Sequence, residues 1–204
     1  MRKRSGFLAA FALPALLLPA LLLSACNTLA PPTGVERSYG GRFSLTVTHP
    51  PGGAQTAPRR DAWSGRFALA VGPQALALDL VSPLGATIAR FETDAHEARL
   101  LVPADGKVRV ERGPDARQLS ERVLGWSLPV AGMAEWIRGR PAAGRPFNLL
   151  PPDHGNDRFE QDGWAVTVEP PDAGRPGMRL DMERAAATDA PAVALRVVLD
   201  GPQS

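Results

Sequence analysis

The chain is poor in the residues on which most covalent and metal chemistry rests. It has a single cysteine, Cys26, among 204 residues, so no internal disulfide framework can form. Its three histidines, His49, His96 and His154, lie far apart, and neither an H-E-x-x-H run nor a cysteine–histidine spacing offers a metal site. No G-x-S-x-G nucleophile elbow occurs. No glycine-rich stretch follows a strand-like run and opens a helix around a phosphate. Neighbouring acids such as Glu92 and Asp94 suit a solvated hairpin edge better than acid–base work. The expectation is a protein that is not an enzyme, with no metal and no cofactor.

Basic residues are thin as well. Lys107 is the only lysine after residue 25, and no basic block with interleaved aromatics is present, which argues against nucleic acid as a partner. The whole chain carries 23 basic and 21 acidic residues; without Arg2, Lys3 and Arg4 the balance is 20 to 21. Helix-forming runs are few, while 20 glycines and 21 prolines punctuate the sequence. That composition favours a β-rich fold, in a length that suits one domain with a real core.

What the N-terminus does contain is an export signal. Arg2, Lys3 and Arg4 precede an apolar run from Phe7 to Leu23, which closes on Leu23-Ser24-Ala25 before Cys26. A run of that length could in principle anchor in a bilayer. Pro14 and Pro19 and the small residues before the cysteine favour a cleaved signal peptide over residues 1–25. Leu-Ser-Ala-Cys is similar to the bacterial lipobox, which makes Cys26 the lipidated first residue of the mature protein; the alternative is a stray thiol. Several acyl chains, at about 0.8 kcal/mol per buried methylene, anchor nearly permanently where one would be marginal. Asn27 after the cysteine implies, by the rule of the lipoprotein class, delivery to the outer membrane rather than retention at the inner one. Residues 26–38 have no apolar period and read as a tether; residues 39–204 are the domain.

Within that domain, alternation of apolar residues marks strands. Structure is expected to begin at Gly41, with Phe43, Leu45 and Val47 on one face of the first strand. Pro50 to Arg60 reads as a flexible loop. Ala62 to Val71, Gln74 to Val81 and Ala86 to Glu92 follow as strands, then a hairpin of Ala98–Val102 and Lys107–Glu111 about Asp105-Gly106. Asp115 to Leu124, capped by Gly125, and Val130 to Arg138 read as helices. Leu149 to Asp157 reads as a Pro-Pro loop. Strands over Arg158–Gln161, Trp164–Glu169, Met178–Met182 and Ala192–Leu199 complete the chain. The pattern implies an open or partly closed antiparallel sheet with helices over one side, an arrangement able to leave an apolar hollow.

The turn Ser82-Pro83-Leu84-Gly85 is the local exception. The third position of a Pro-led turn faces water and is usually small or polar, yet here it is leucine. Taken in order behind a lipobox, Leu78-x-Leu80-x-Ser82-Pro83-Leu84-Gly85, Leu124-Gly125-x-x-Leu128-Pro129, Trp136-Ile137-x-Gly139-x-Pro141 and Gln161-x-Gly163-Trp164 resemble the LolB family of outer-membrane lipoprotein receptors. The resemblance spans almost the whole domain, although the Pro50–Arg60 loop is longer and richer in proline than the family pattern and the last strand lacks a tryptophan near its end.

The resemblance implies an unclosed antiparallel β-barrel, or half-barrel, capped by short α-helices around an apolar cavity. It implies a monomer, lipid-anchored in the outer membrane and facing the periplasm, that receives lipoproteins from the periplasmic carrier LolA, binds their acyl chains and inserts them into the inner leaflet of the outer membrane. Leu84 is then the membrane-delivery residue, with Pro83 and Gly85 shaping the tip. The implied cavity wall comprises Phe43, Trp63, Phe67, Leu69, Leu78 and Leu80 from strands, with Val123, Met133, Trp136, Ile137 and Trp164 beyond them. Periodicity alone favours ordinary core for the aromatics in that set. Two other readings stay open: a half-barrel lipoprotein that carries a different amphiphile, and a structural outer-membrane lipoprotein. Arg109, Arg112, Arg117 and Arg122 alternate with acids and suit a solvated face better than a docking patch.

Overall fold

The computed structural model describes residues 34–51, 57–188 and 190–201, all within the compact unit Pro31–Ser204. The expected signal peptide, Cys26 and most of the expected tether lie outside the described residues, as does the centre of the expected Pro50–Arg60 loop.

Eleven strands and two helices make up the domain. The strands are β1 (Arg37–His49), β2 (Arg59–Val71), β3 (Leu76–Val81), β4 (Thr87–Thr93), β5 (Ala98–Ala104) and β6 (Lys107–Gly113). After α1 (Ala116–Leu124) and α2 (Val130–Trp136) come β7 (Phe147–Asp153), β8 (Asn156–Gln161), β9 (Trp164–Glu169), β10 (Arg179–Arg184) and β11 (Ala192–Leu199). Together they form one antiparallel sheet in the order β6-β5-β4-β3-β2-β1-β11-β10-β9-β8-β7. Two hairpin meanders are thus joined where the first strand meets the last, Phe43 opposite Val197 and Leu45 opposite Leu195. β6 and β7 are not paired to each other, so the sheet is an open half-barrel. This agrees with the expected fold class.

Alternation explains which face is buried. Phe67, Leu69 and Val71 of β2, Leu180 and Met182 of β10, and Val193, Leu195 and Val197 of β11 all point inward and are buried. Two glycines set the curvature where the longest strands cross. Gly41 faces Phe67 and Gly65 faces Phe43 in the β1–β2 register. A Cβ on Gly65 would come within 2.0 Å of the Val81 carbonyl oxygen, and one on Gly41 within 2.2 Å of that of Val198. Such close backbone approach bends a sheet around its concave side.

Polar contacts hold the helices, those of Ser120 and Gln161 buried. Asp115 caps α1 through its side chain on the Gln118 N–H, and Gly125 ends it with φ 78°. Ser120, fully buried, donates its hydroxyl to the Ala116 carbonyl at 2.8 Å and accepts the Leu128 N–H at 2.9 Å, folding the linker back beneath the helix. At the other helix, Gln161 accepts from Trp136 Nε1 at 2.7 Å and the Ala142 N–H at 2.8 Å, and donates to the Ala142 carbonyl at 3.0 Å.

Most boundaries shift by one or two residues, and three segments expected as tether or loop contain strand. β1 begins at Arg37, inside the expected tether, and β2 begins at Arg59, inside the expected loop. The segment expected as a Pro-Pro loop contains strand β7, with a register irregularity between Leu150 and Asp153. β7 is an edge strand, and Pro151 and Pro152 are tolerated there because one side of the strand needs no partner.

Candidate functional site

The concave face is not filled along its whole length. Where α2 crosses, packing is tight: Trp136 meets Phe159 edge-on with ring centres 6.1 Å apart, and Trp126 meets Trp164 edge-on at 6.5 Å. Where α1 crosses, a hollow of about 400 Å³ remains, within the ~300–1,000 Å³ common for small-molecule sites. Phe43, Leu45 and Val47 of β1 form its floor, with Leu78 and Leu80 of β3 beside them. Ile88 and Phe91 of β4 and Leu100 and Val102 of β5 continue the wall. Val123 and Leu124 of α1 close over it with Trp126 and Leu128. A small annex of about 30 Å³ beneath is lined by Phe67, Met133, Leu195 and Val197, sharing Phe43 and Leu78 with the larger space.

Not all of the expected wall is wall. Phe43, Trp63, Leu78, Leu80 and Val123 line the hollow, and Phe67 and Met133 line the annex. Trp63 is 44% exposed and Val123 39%, so these two stand at the rim rather than in an interior. Leu69, Trp136 and Ile137 are buried core and line neither space. Trp164 is buried as well, bordering instead another recess, with Asp115, Arg145 and Asp162 among its lining. The reason is α2, whose Trp136 is fixed by Gln161 and fills the concavity over β8. Sequence reasoning missed Ile88, Phe91, Leu100, Val102 and Leu124 as lining. Alternation places Phe91, Leu100 and Val102 on the inward face; Ile88 joins them only through the register irregularity opposite Leu80 and Val81, and how closely Leu124 of α1 sits upon them is a tertiary matter.

The Leu84 turn stands at the end of this wall. The Gly85 N–H donates to the Ser82 carbonyl at 2.9 Å, and the Ser82 N–H to the Ala86 carbonyl at 2.8 Å. Ser82 Oγ also accepts the Ala86 N–H at 3.1 Å. Gly85 has φ +85°, a conformation that favours glycine. The tip is therefore well fixed, and it presents Leu84 at 97% exposure. Leu80, opposite Ala89 at the base of the same hairpin, is hollow wall. Antiparallel order puts the Leu84 turn and the β1–β2 connection at the same end of the sheet.

Among the described residues no group of three or more His, Cys, Asp or Glu could hold a metal ion, and no helix is long and apolar enough to cross a membrane.

Comparison with known proteins gives a consistent result. Residues 39–200 match the family model "Outer membrane lipoprotein LolB". The outer-membrane lipoprotein LolB of Cupriavidus pinatubonensis is 34% identical over 198 residues, covering 89% of this chain and 88% of that protein. Its namesake in Bordetella petrii is 39% identical over 143 residues, 69% of this chain and 67% of the relative. That of Cupriavidus necator is 31% identical over 207 residues, with 97% of both chains covered. With its open half-barrel and a family match over most of its length, this chain belongs to the LolB family of outer-membrane lipoproteins.

Proposed function

We propose that the chain accepts lipoproteins from the periplasmic carrier LolA by taking their acyl chains into the hollow, and passes them to the inner leaflet of the outer membrane. The observation that carries this reading is the pairing of an apolar hollow with a fully exposed leucine on the hairpin that forms its wall. An acyl chain gains roughly 25 cal/mol for each Å² of apolar surface removed from water, without directional bonds. Attraction of that kind is strong enough to hold cargo and indifferent enough to let it slide out. Handover needs no nucleotide if each station binds more tightly than the last, since every 1.4 kcal/mol is tenfold.

In this reading the Cys26 lipid tethers the domain at the membrane and the tether of residues 26–38 gives it reach. Leu84 enters the bilayer surface, where burial contributes about 1.5–3 kcal/mol, too little to anchor but enough to orient the hollow. Pro83 and Gly85 keep the tip in shape. The protein acts as a monomer and performs no catalysis. Transfer of a labelled lipoprotein from loaded LolA to vesicles carrying this protein tests the proposal: transfer should require the protein and proceed without nucleotide. Equal delivery to vesicles without it would refute the proposal.

A further inference from the structure

The inward face of the β1–β2 hairpin changes character along its length. Successive inward pairs run Phe43–Gly65, Leu45–Trp63, Val47–Asp61 and His49–Arg59 in the strand register. At ~3.3 Å per residue, the face is apolar over the first pairs and polar at the last. His49, Arg59 and Asp61 all line the hollow, and they are joined to one another. Asp61 Oδ2 accepts from Arg59 Nη2 at 3.0 Å, and His49 Nε2 lies 3.0 Å from the same oxygen. With its proton on Nε2, His49 donates to that oxygen as well. Arg59 Nη2 and His49 Nε2 are 3.1 Å apart. This polar rung stands at the same end of the sheet as Leu84.

We propose that His49, Arg59 and Asp61 form a subsite for the ester and amide carbonyls at the head of the cargo's acyl group, so that the chain enters with its methyl end toward Phe43 and its polar end at the rung. This rests on the acyl-binding reading above. An apolar pocket fixes orientation with a few placed polar groups, and here those groups occupy one end only. The charge balance selects the ligand chemistry. Asp61 offsets the guanidinium, which disfavours pairing with a free carboxylate. Arg59 has five N–H groups, and those not directed at Asp61 suit neutral carbonyl oxygens. A chain so oriented presents its polar end beside the leucine that meets the bilayer, and it leaves tail-last.

The test uses the full-length, lipid-anchored protein in phosphatidylethanolamine vesicles with two photoreactive monoacylglycerols, one bearing a diazirine next to the ester and one at the methyl end. Cross-linked peptides are identified by mass spectrometry. The ester-end probe should label residues 45–49 and 59–63, and the methyl-end probe the floor about Phe43, Leu78 and Leu128. One net hydrogen bond to a charged group corresponds to roughly a tenfold preference, so the rim-to-floor labelling ratio should differ about tenfold between the probes. In the triple variant His49→Leu/Arg59→Leu/Asp61→Leu, and in Arg59→Gln should the triple variant fail to fold, the difference should fall toward one. Labelling of the hollow with no difference between probes, or a difference that survives the substitutions, overturns the head subsite alone. An absence of labelling in the hollow by either probe overturns the acyl-binding reading with it.

Discussion

Phe43 stands directly opposite Gly65 in the β1–β2 register, and its ring edge lies 3.2 Å from where a Cβ on that glycine would sit. The same ring forms floor for both the hollow and its annex. Curvature and cavity are therefore linked through one cross-strand pair. Gly65→Ala places a methyl 2.0 Å from the Val81 carbonyl oxygen and 3.2 Å from Phe43 Cε1. Backbone cannot yield as a flexible side chain does, and overpacking of this kind costs about 1–3 kcal/mol. Urea denaturation should show a midpoint lowered accordingly, with unchanged dependence on denaturant.

Gln161, 1% exposed, ties α2 to the sheet through Trp136 and both backbone groups of Ala142. Gln161→Leu keeps the volume but leaves buried donors unmatched. Each unmatched group costs about 1–3 kcal/mol, so a loss on the order of 3 kcal/mol is expected in the same titration. Trp136→Phe, which removes one of those donors along with part of a core ring, should lower the additional cost of Gln161→Leu in a double-mutant cycle.

Asp115 supplies an acid-sensitive element. Its carboxyl is held below the ordinary 3.8, first by the Gln118 backbone N–H; burial opposes this, and the Gln118 side chain adds to it. A depressed carboxylate contributes its stability above the unfolded value and loses it as pH falls through the folded one. The extra stability of the ionised cap is thus fully present above about pH 3.8 and is lost as pH falls through the depressed folded value below it. Asp115→Asn should flatten that portion of the acid-unfolding curve while retaining the cap, and Asp115→Ala should cost about 1 kcal/mol at neutral pH. The carboxylate is exposed, so the acid effect itself should be modest.

Much of this fold was legible in alternation. β9 and β11 run over the expected residues, and Gly125 caps α1 as its position after an apolar helix implied. The β7 edge was not legible, because Pro151 and Pro152 look like breakers until it is known that no strand pairs on the far side. For the site, Phe43, Leu78 and Leu80 follow from period two. The division between wall and filler does not: Trp136 and Trp164 are apolar residues on inward faces like the others, and only the Gln161 hydrogen bond and the edge-on ring contacts assign them to packed core.

Leu45 tests the wall itself. It is half-buried and faces both the hollow and the annex, opposite Trp63. A carboxylate there can still reach water, so Leu45→Glu should fold. Burying cargo against it would mean desolvating a charge, which is strongly unfavourable. Cargo acceptance from the carrier should fall at least tenfold, while circular dichroism and the unfolding midpoint stay near those of the unaltered protein.

Leu84→Glu separates acceptance from delivery. Leu84 is 97% exposed and is not among the residues lining the hollow, so its replacement should leave stability and loading unchanged while removing the proposed contact with the bilayer. The decisive measurement follows a labelled lipoprotein from loaded carrier, to the membrane-anchored L84E protein, to the surrounding vesicle. Cargo that leaves the carrier and stalls on the protein is the expected result. Normal delivery into the vesicle, or failure of the variant to take cargo at all, would contradict the role assigned to the hairpin.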